Sequence, residues 1–559
     1  MSRFDLTRRT MLTGTLAASI ARPADGPAIA QPAKAGTFTH DVASGDPLAT
    51  RVILWTRFLP TTGGDATIFW EIATDAGFEQ IVKRGTARAL AAQDHIVKVD
   101  AGGLKPNTKY AYRFHAGDAV SPIGETRTLP VGDISSVTFA VFSCSNLPFG
   151  YFQAYAHAAA RTDIDFALHL GDYIYEYQNG TYPSKAQAIA DRPHDPGTEI
   201  VSLADYRKRY ANYRADPDLQ KIHRKLPFIV VWDDHELTND AWKNGAENHQ
   251  PETEGAWDAR VRAARQAYSE WMPIRDQRNG KIYRRFDFGS LASLIMLDTR
   301  SIGRDKQMDY QQDLRMKDVS PRPEELSVVA AAFRKKWADP KRSMLGTTQE
   351  KWLAAQLKNS AAKNIRWQVI GQQLQSGFLK TPRTLPNALP ANAPDWLRKR
   401  VELGALMSTQ NLPANLDAWN GYPAARDRLI KTLRSHANNA IVLAGDTHNA
   451  WLFELDEKPD GTLAAVEFGG HSVSSPGYES AVRIPPETLQ QMLIAENVEL
   501  KWCNTWQRGY MVTRLTAEAA TNDWIFLASV REPKAAIAAI KTVRVPATNG
   551  KGTAKAILA

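Results

Sequence analysis

Between residues 36 and 127 the apolar positions fall in short runs rich in β-branched and aromatic side chains, among them Arg51-Val52-Ile53-Leu54-Trp55-Thr56 and Thr67-Ile68-Phe69-Trp70-Glu71-Ile72-Ala73. Gly45-Asp46-Pro47, Gly63-Gly64-Asp65 and Gly102-Gly103 punctuate them. This pattern predicts an all-β segment. From Val137 the pattern changes. Phe139–Phe142 reads as a buried strand, 151–161 as a helix and Phe166–Leu170 as a second strand. Strand–helix–strand is the unit of an α/β layer. Further strands are predicted at Phe228–Val231, Leu291–Leu297, Ile365–Ile370 and Ile441–Ala444. The connections are long. In one of them, 380–397, Pro382, Pro386, Pro390 and Pro394 argue against helix, so this piece is either a rim over a site or a passive surface loop.

These patterns divide the chain. Residues 36–128 form a small immunoglobulin- or fibronectin-III-like sandwich, because Leu104–Phe114 resembles its tyrosine-corner strand. Leu129–Asp133 is the linker, 137–535 the α/β domain and 536–559 a C-terminal tail. At the N-terminus Arg8-Arg9 precede a weakly apolar stretch and then Ala28-Ile29-Ala30. Residues 1–30 therefore look like a twin-arginine signal, read by the twin-arginine export machinery, with a periplasmic or secreted mature protein starting near Gln31. No run approaches the ~20 apolar residues of a membrane span.

Composition adds limits. The 559 residues suffice for two or three domains, and 43% hydrophobic with 23% charged residues is ordinary for a globular chain. Sixty-nine Lys and Arg against 60 Asp and Glu give a net charge of +9, which favours anionic substrates. No basic run with interleaved aromatics marks a nucleic-acid surface. Two cysteines, Cys144 and Cys503, exclude a disulfide-built fold.

The chemistry collects where strands end. Ser143-Cys144-Ser145-Asn146, Gly171-Asp172-Tyr173-Ile174-Tyr175-Glu176, Trp232-Asp233-Asp234-His235-Glu236, Gly371-Gln372-Gln373 and Gly445-Asp446-Thr447-His448 each follow an apolar run. Side chains at the carboxyl ends of adjacent strands converge on one crevice. Asp172 can offer one oxygen to each of two cations, and Tyr175 can return to the same place as a phenolate. Asp233 and Asp234 repel each other and need a cation or strong donors if buried. His235 can protonate a leaving group, with Glu236 orienting it. Asp446 and His448, two apart, share a face on an extended backbone. Cys144 is either a thiolate ligand or an inert buried thiol. Gln372, Gln373 and Asn239 are possible contacts to metal or phosphate.

Together with His40–Pro47, Val52–Arg57, Asp417–Tyr422 and Ser474–Gly477, these clusters resemble the alkaline phosphatase D (PhoD-like) family of calcineurin-like metallophosphoesterases. The resemblance implies an αββα sandwich behind the β-domain and hydrolysis of phosphate mono- and diesters at alkaline pH by a metal-bound hydroxide. It places Cys144, Asp172, Tyr175 and His448 around one ion and Asp172, Asp234 and Asp446 around another, with His235 and Asp172 catalytic. It implies Fe3+ and Ca2+, with Mn2+, Mg2+ and Zn2+ as alternatives. Two other readings stay open: a phosphodiesterase directed at phospholipid or polymer, with Trp396 and Trp419 either facing substrate or belonging to the core, and a secreted binding protein with structural metals.

Overall fold

The computed structural model describes residues 35–275, 280–314 and 323–559. The expected signal, residues 1–30, lies outside the described residues. No helix among them is long and apolar enough to cross a membrane.

Three runs that are apolar at nearly every position become parallel neighbours: Ser136–Phe142, Phe166–His169 and Phe228–Val230. Phe166 aligns with Phe139 and Ala167 with Phe228. Strands buried on both faces read as continuous hydrophobic runs, and so these were easy to find. Gly509–Thr516, Ala519–Leu527 and Ile537–Pro546 continue this sheet antiparallel on one side. A second sheet has Ala292–Met296, Trp367–Gly371, Ala440–Ala444 and Ala465–Gly469 as parallel neighbours at its centre. The sheets face each other across one apolar layer. In it Phe288 meets Phe139 and Phe166 with ring centroids 5.0 and 5.1 Å apart, and Phe468 meets Trp524. Helices such as Leu203–Arg214 and Trp257–Trp271 pack on the first sheet, and Gly346–Ala362 and Pro423–His436 on the second. The result is the expected αββα sandwich.

The expected tail from 536 is instead part of the sheet. Ile537–Pro546 pairs along its length with Ala519–Leu527, with Val543 and Val545 turned inward and Arg544 outward. Its alternation is diluted by alanine and lysine, which hid the strand. The region 380–397 is not wholly irregular either. Leu385–Ala388 is one helical turn, and Pro394 stands at the N-cap of the helix Asp395–Thr409, where a missing N–H costs nothing.

The N-terminal domain is a β-sandwich over a core of Val42, Val52, Leu54, Ile68, Ile72, Tyr112 and Phe114. The hydroxyl of Tyr110 accepts from the N–H of Lys105 at 2.8 Å, the hydrogen bond of a tyrosine corner. The two domains share a sheet. Gly36–Leu48, Arg51–Pro60 and Ile96–Gly102 extend the first sheet, joined at Gly45, which pairs in parallel with Phe228. A Cβ at Gly45 would lie 2.7 Å from the Phe228 carbonyl oxygen, so only glycine permits this approach.

Candidate metal centre

Four candidate ligands occupy left-handed backbone: Cys144 at φ 60°, Asp172 at 55°, Asp446 at 64° and His448 at 60°. Such conformations are uncommon outside glycine and cluster where geometry serves function. Each follows a strand, and the sharp turn aims its side chain into a common crevice. Gly171, at φ 110°, lets Asp172 turn there. A Cβ on it would meet the Asp233 nitrogen at 2.5 Å.

Three overlapping groups of potential ligand atoms result, each within 4.8 Å: Cys144, Asp172 and His448; Asp172, Asp234 and His235; Asp233, Asp234 and Asp446. Asp172 belongs to two of them. Tyr175 donates to Asp172 Oδ2 at 3.1 Å and lies 3.3 Å from His448 Nε2 and 2.7 Å from Ser475 Oγ. Nδ1 of His448 donates to the carbonyl oxygen of Pro476 at 2.7 Å, which fixes the tautomer and leaves the Nε2 lone pair facing Asp172 and Tyr175.

His235 is held from behind by Glu176. Nδ1 lies 2.7 Å from Glu176 Oε2, and Glu176 Oε1 accepts from Thr238, from the N–H of Asn239 and from Asn248. Burial opposes charge on both. The pair nevertheless holds the Glu176 carboxyl down at about 2, while Glu176, Asp172 and Asp234 lift His235 well above its ordinary value. This corrects the expectation for Glu236. That carboxylate points the other way and accepts from the N–H groups of Asp172, Tyr173 and Asp233. His235 and Glu236 stand in a tight turn closed by the N–H of Leu237 on the Asp234 carbonyl at 2.7 Å, which sends their side chains apart, so Glu236 pins the two strand ends together instead of orienting its neighbour. Burial, then the charge of Asp172, pushes it up to about 8.

Sequence reasoning missed Arg300. Its side chain is fully buried. Nε donates to Asp233, Nη1 to both oxygens of Asp417 at 2.9 and 2.7 Å, and Nη2 to Asp446 Oδ1 at 3.0 Å with Asp234 Oδ1 at 3.5 Å. Arg304 also donates to Asp417. A signal was present, since Asp298-Thr299-Arg300 follows the predicted strand Leu291–Leu297 just as the other clusters follow theirs.

The glutamines divide. Gln373 spends its amide on structure, donating to the carbonyls of Trp232 and Leu297 and accepting from Thr299. Gln372 Oε1 accepts from the indole of Trp419 at 2.7 Å, and an indole only donates, so the amide orientation is fixed and its unpartnered Nε2 is a donor. In this arrangement Gln372 suits an acceptor oxygen and not a cation. Asn239 Nδ2 donates to Glu247. Trp419 is core, whereas Trp396 is exposed.

The donor set fits cations. Asp172 Oδ1, Asp233 Oδ2 and Asp234 Oδ1 are buried without a hydrogen-bond partner, which is costly for a carboxylate unless a positive charge is near. Burial pushes the carboxyls of Asp233 and Asp446 well up despite Arg300, and burial with the Asp172 charge does the same to the Cys144 thiol and the Tyr175 phenol. Thiol, phenol, imidazole and carboxylate around one position and carboxylates around the next make two unlike candidate sites that share Asp172.

Comparison with known proteins agrees with this geometry. Residues 139–524 match the family model described as PhoD-like phosphatase, and residues 23–130 match the model of the PhoD-like phosphatase N-terminal domain. The chain is 36% identical over 518 residues to alkaline phosphatase D of Bacillus subtilis (strain 168), covering 89% of this chain and 79% of the relative. A solved structure described as that of PhoD superposes with a TM-score of 0.75 at 33% identity, covering 93% of this chain and 92% of that one. A fold with ligand-bearing strand ends, an N-terminal sandwich and likeness along nearly the whole length leave one conclusion: this chain belongs to the PhoD-like phosphatases and is a phosphoric ester hydrolase.

Proposed function

We propose that the chain is an exported alkaline phosphatase and phosphodiesterase that cleaves phosphate mono- and diesters at a two-cation centre. Cys144, Asp172, Tyr175 and His448 would hold Fe3+, and Asp172, Asp234 and Asp446 would hold Ca2+. The observation that carries this reading is Asp172. It belongs to two neighbouring groups of potential ligands, and its Oδ1 is buried with no protein partner. The choice of ions follows from the donors: phenolate and thiolate suit a highly charged transition metal, and an all-oxygen set suits a hard divalent ion.

Two cations, when bound, supply charge for the phosphate oxygens and make water acidic enough to attack phosphorus at working pH. The chain's own residues do the rest. Water adds to phosphorus, the bond to the alcohol oxygen breaks, and the departing oxygen takes the proton held at Nε2 of His235. Glu176 keeps that ring charged and oriented through Nδ1. Arg300 keeps the carboxylates of Asp233, Asp234 and Asp446 together. The sequence Arg8-Arg9 with Ala28-Ile29-Ala30 supports export to the periplasm or beyond.

The test is protein purified without added metal, analysed for its elements and assayed on aryl monophosphate and bis(aryl) phosphate with and without chelator. Two metals per chain and chelator-sensitive release from both esters are expected. Full activity in metal-free protein would overturn the reading.

A further inference from the structure

One buried guanidinium reaches four carboxylates, and this is more than assembling a ligand set requires. Arg300 is ion-paired to Asp233, Asp417 and Asp446 and lies 3.5 Å from Asp234, while Arg304 shares Asp417. Asp240 enters the network through its backbone N–H, which donates to Asp234 Oδ2 at 2.7 Å. Two carboxylate oxygens of this cluster, Asp233 Oδ2 and Asp234 Oδ1, are buried without a hydrogen-bond donor and so remain for a cation. Carboxylates on every side favour the charged form of a basic group in this place.

We propose that Arg300, braced by Asp417 and Arg304, is a specificity-determining residue: its fixed positive charge beside Asp234 and Asp446 limits the cation bound there to a divalent one. The inference rests on the reading of this cluster as a cation site. The physical basis is Coulombic. A fixed charge near the site weakens binding in proportion to the charge of the incoming ion, so it disfavours a trivalent ion more than a divalent one. Removing Arg300's charge must shift the preference toward trivalent ions, and removing Asp417's charge must shift it the other way. A purely structural arginine would lower both affinities together.

The experiment strips the full-length protein with chelator and titrates it with Ca2+ and with Tb3+, using calorimetry and Tb3+ luminescence. The ratio of Tb3+ to Ca2+ association constants is expected to rise at least about tenfold in Arg300→Gln and to fall at least about tenfold in Asp417→Asn. Arg300→Lys keeps the charge and should hold the ratio within about threefold of wild type. If Arg300→Gln does not fold, Asp417→Asn and Arg300→Lys decide. An unchanged ratio in Asp417→Asn, or a shift in the same direction in both charge-removing variants, overturns the proposal. Should that happen while the wild type binds Ca2+ and loses phosphate release on chelation, the phosphatase reading stands and only the role of Arg300 falls. A wild type that binds neither ion and keeps full activity after chelation removes both.

Discussion

Glu176 Oε2 and His235 Nδ1 lie 2.7 Å apart, both inside the protein, at the base of the crevice where the strand ends meet. The pair links two turns 59 residues apart in the chain, and it leaves Nε2 as the only ring nitrogen free to meet a substrate.

Glu176→Gln should therefore act through the histidine. Removing the negative charge makes the imidazolium less favourable, so the pKa of His235 falls. If His235 donates the proton to the departing alcohol, the alkaline limb of the kcat profile moves to lower pH. kcat should drop about 10- to 100-fold, with KM changed far less. A pH profile of unchanged shape would argue that the ring does not transfer the proton.

Asp172 and His235 should separate in metal analysis. Asp172→Asn is expected to lose both cations, because the residue serves two ligand groups. His235→Ala should retain them and lose turnover by about 100-fold or more. Loss of both metals from His235→Ala would contradict its assigned role.

Gly171→Ala places a methyl group 2.5 Å from the Asp233 nitrogen at a φ of 110°. The expected outcome is destabilisation of about 1–3 kcal/mol together with weaker metal retention, since the turn carrying Asp172 must shift. Thermal unfolding and elemental analysis on the same preparation check both halves.

Glu467 offers a pH test away from the metals. It is fully buried, and burial pushes its carboxyl up to about 7 even though it accepts from the N–H groups of Ser376 and Gly377. Its folded value thus exceeds its unfolded one. The unfolded chain gives up this proton near pH 4.5 while the folded chain keeps it, so stability declines as pH rises from about 4.5 through about 7 and levels off above. Glu467→Gln keeps an acceptor for Ser376 and should remove this decline, worth roughly 2–3 kcal/mol. Unfolding curves at pH 5 and pH 8 for both proteins provide the measurement.

How far the sequence could be read follows from the physics of each element. The central strands were plain because a sheet covered on both faces needs unbroken apolar runs, as at Phe139–Phe142 and Ile441–Ala444. The ligand clusters were plain because they stand directly after those runs. Arg300 was not, since a sequence gives no sign that a guanidinium is buried; only its carboxylate neighbours, drawn from positions 233, 234, 417 and 446, reveal it. The partner of His235 was misread for the same reason. Proximity along the chain favoured Glu236, whereas the turn sends that side chain away and Glu176 comes in from the loop that follows the strand Phe166–His169. The strand Ile537–Pro546 lies next to the sheet's edge, with only Ile557–Leu558 beyond it, and is only half covered, so its pattern was faint.

The pairing of Gly45 with Phe228 has a practical outcome for anyone trimming this protein. Trp55 donates its indole N–H to the Glu270 carbonyl at 2.8 Å, and Arg284 holds Asp46 at 2.6 Å across the same seam. Cutting the chain near residue 130 to isolate the catalytic half would strip a neighbour from Phe228–Val230 and leave raw backbone ready to stick to other molecules. The shortened protein should come out of cells insoluble, although every candidate metal ligand is still encoded in it.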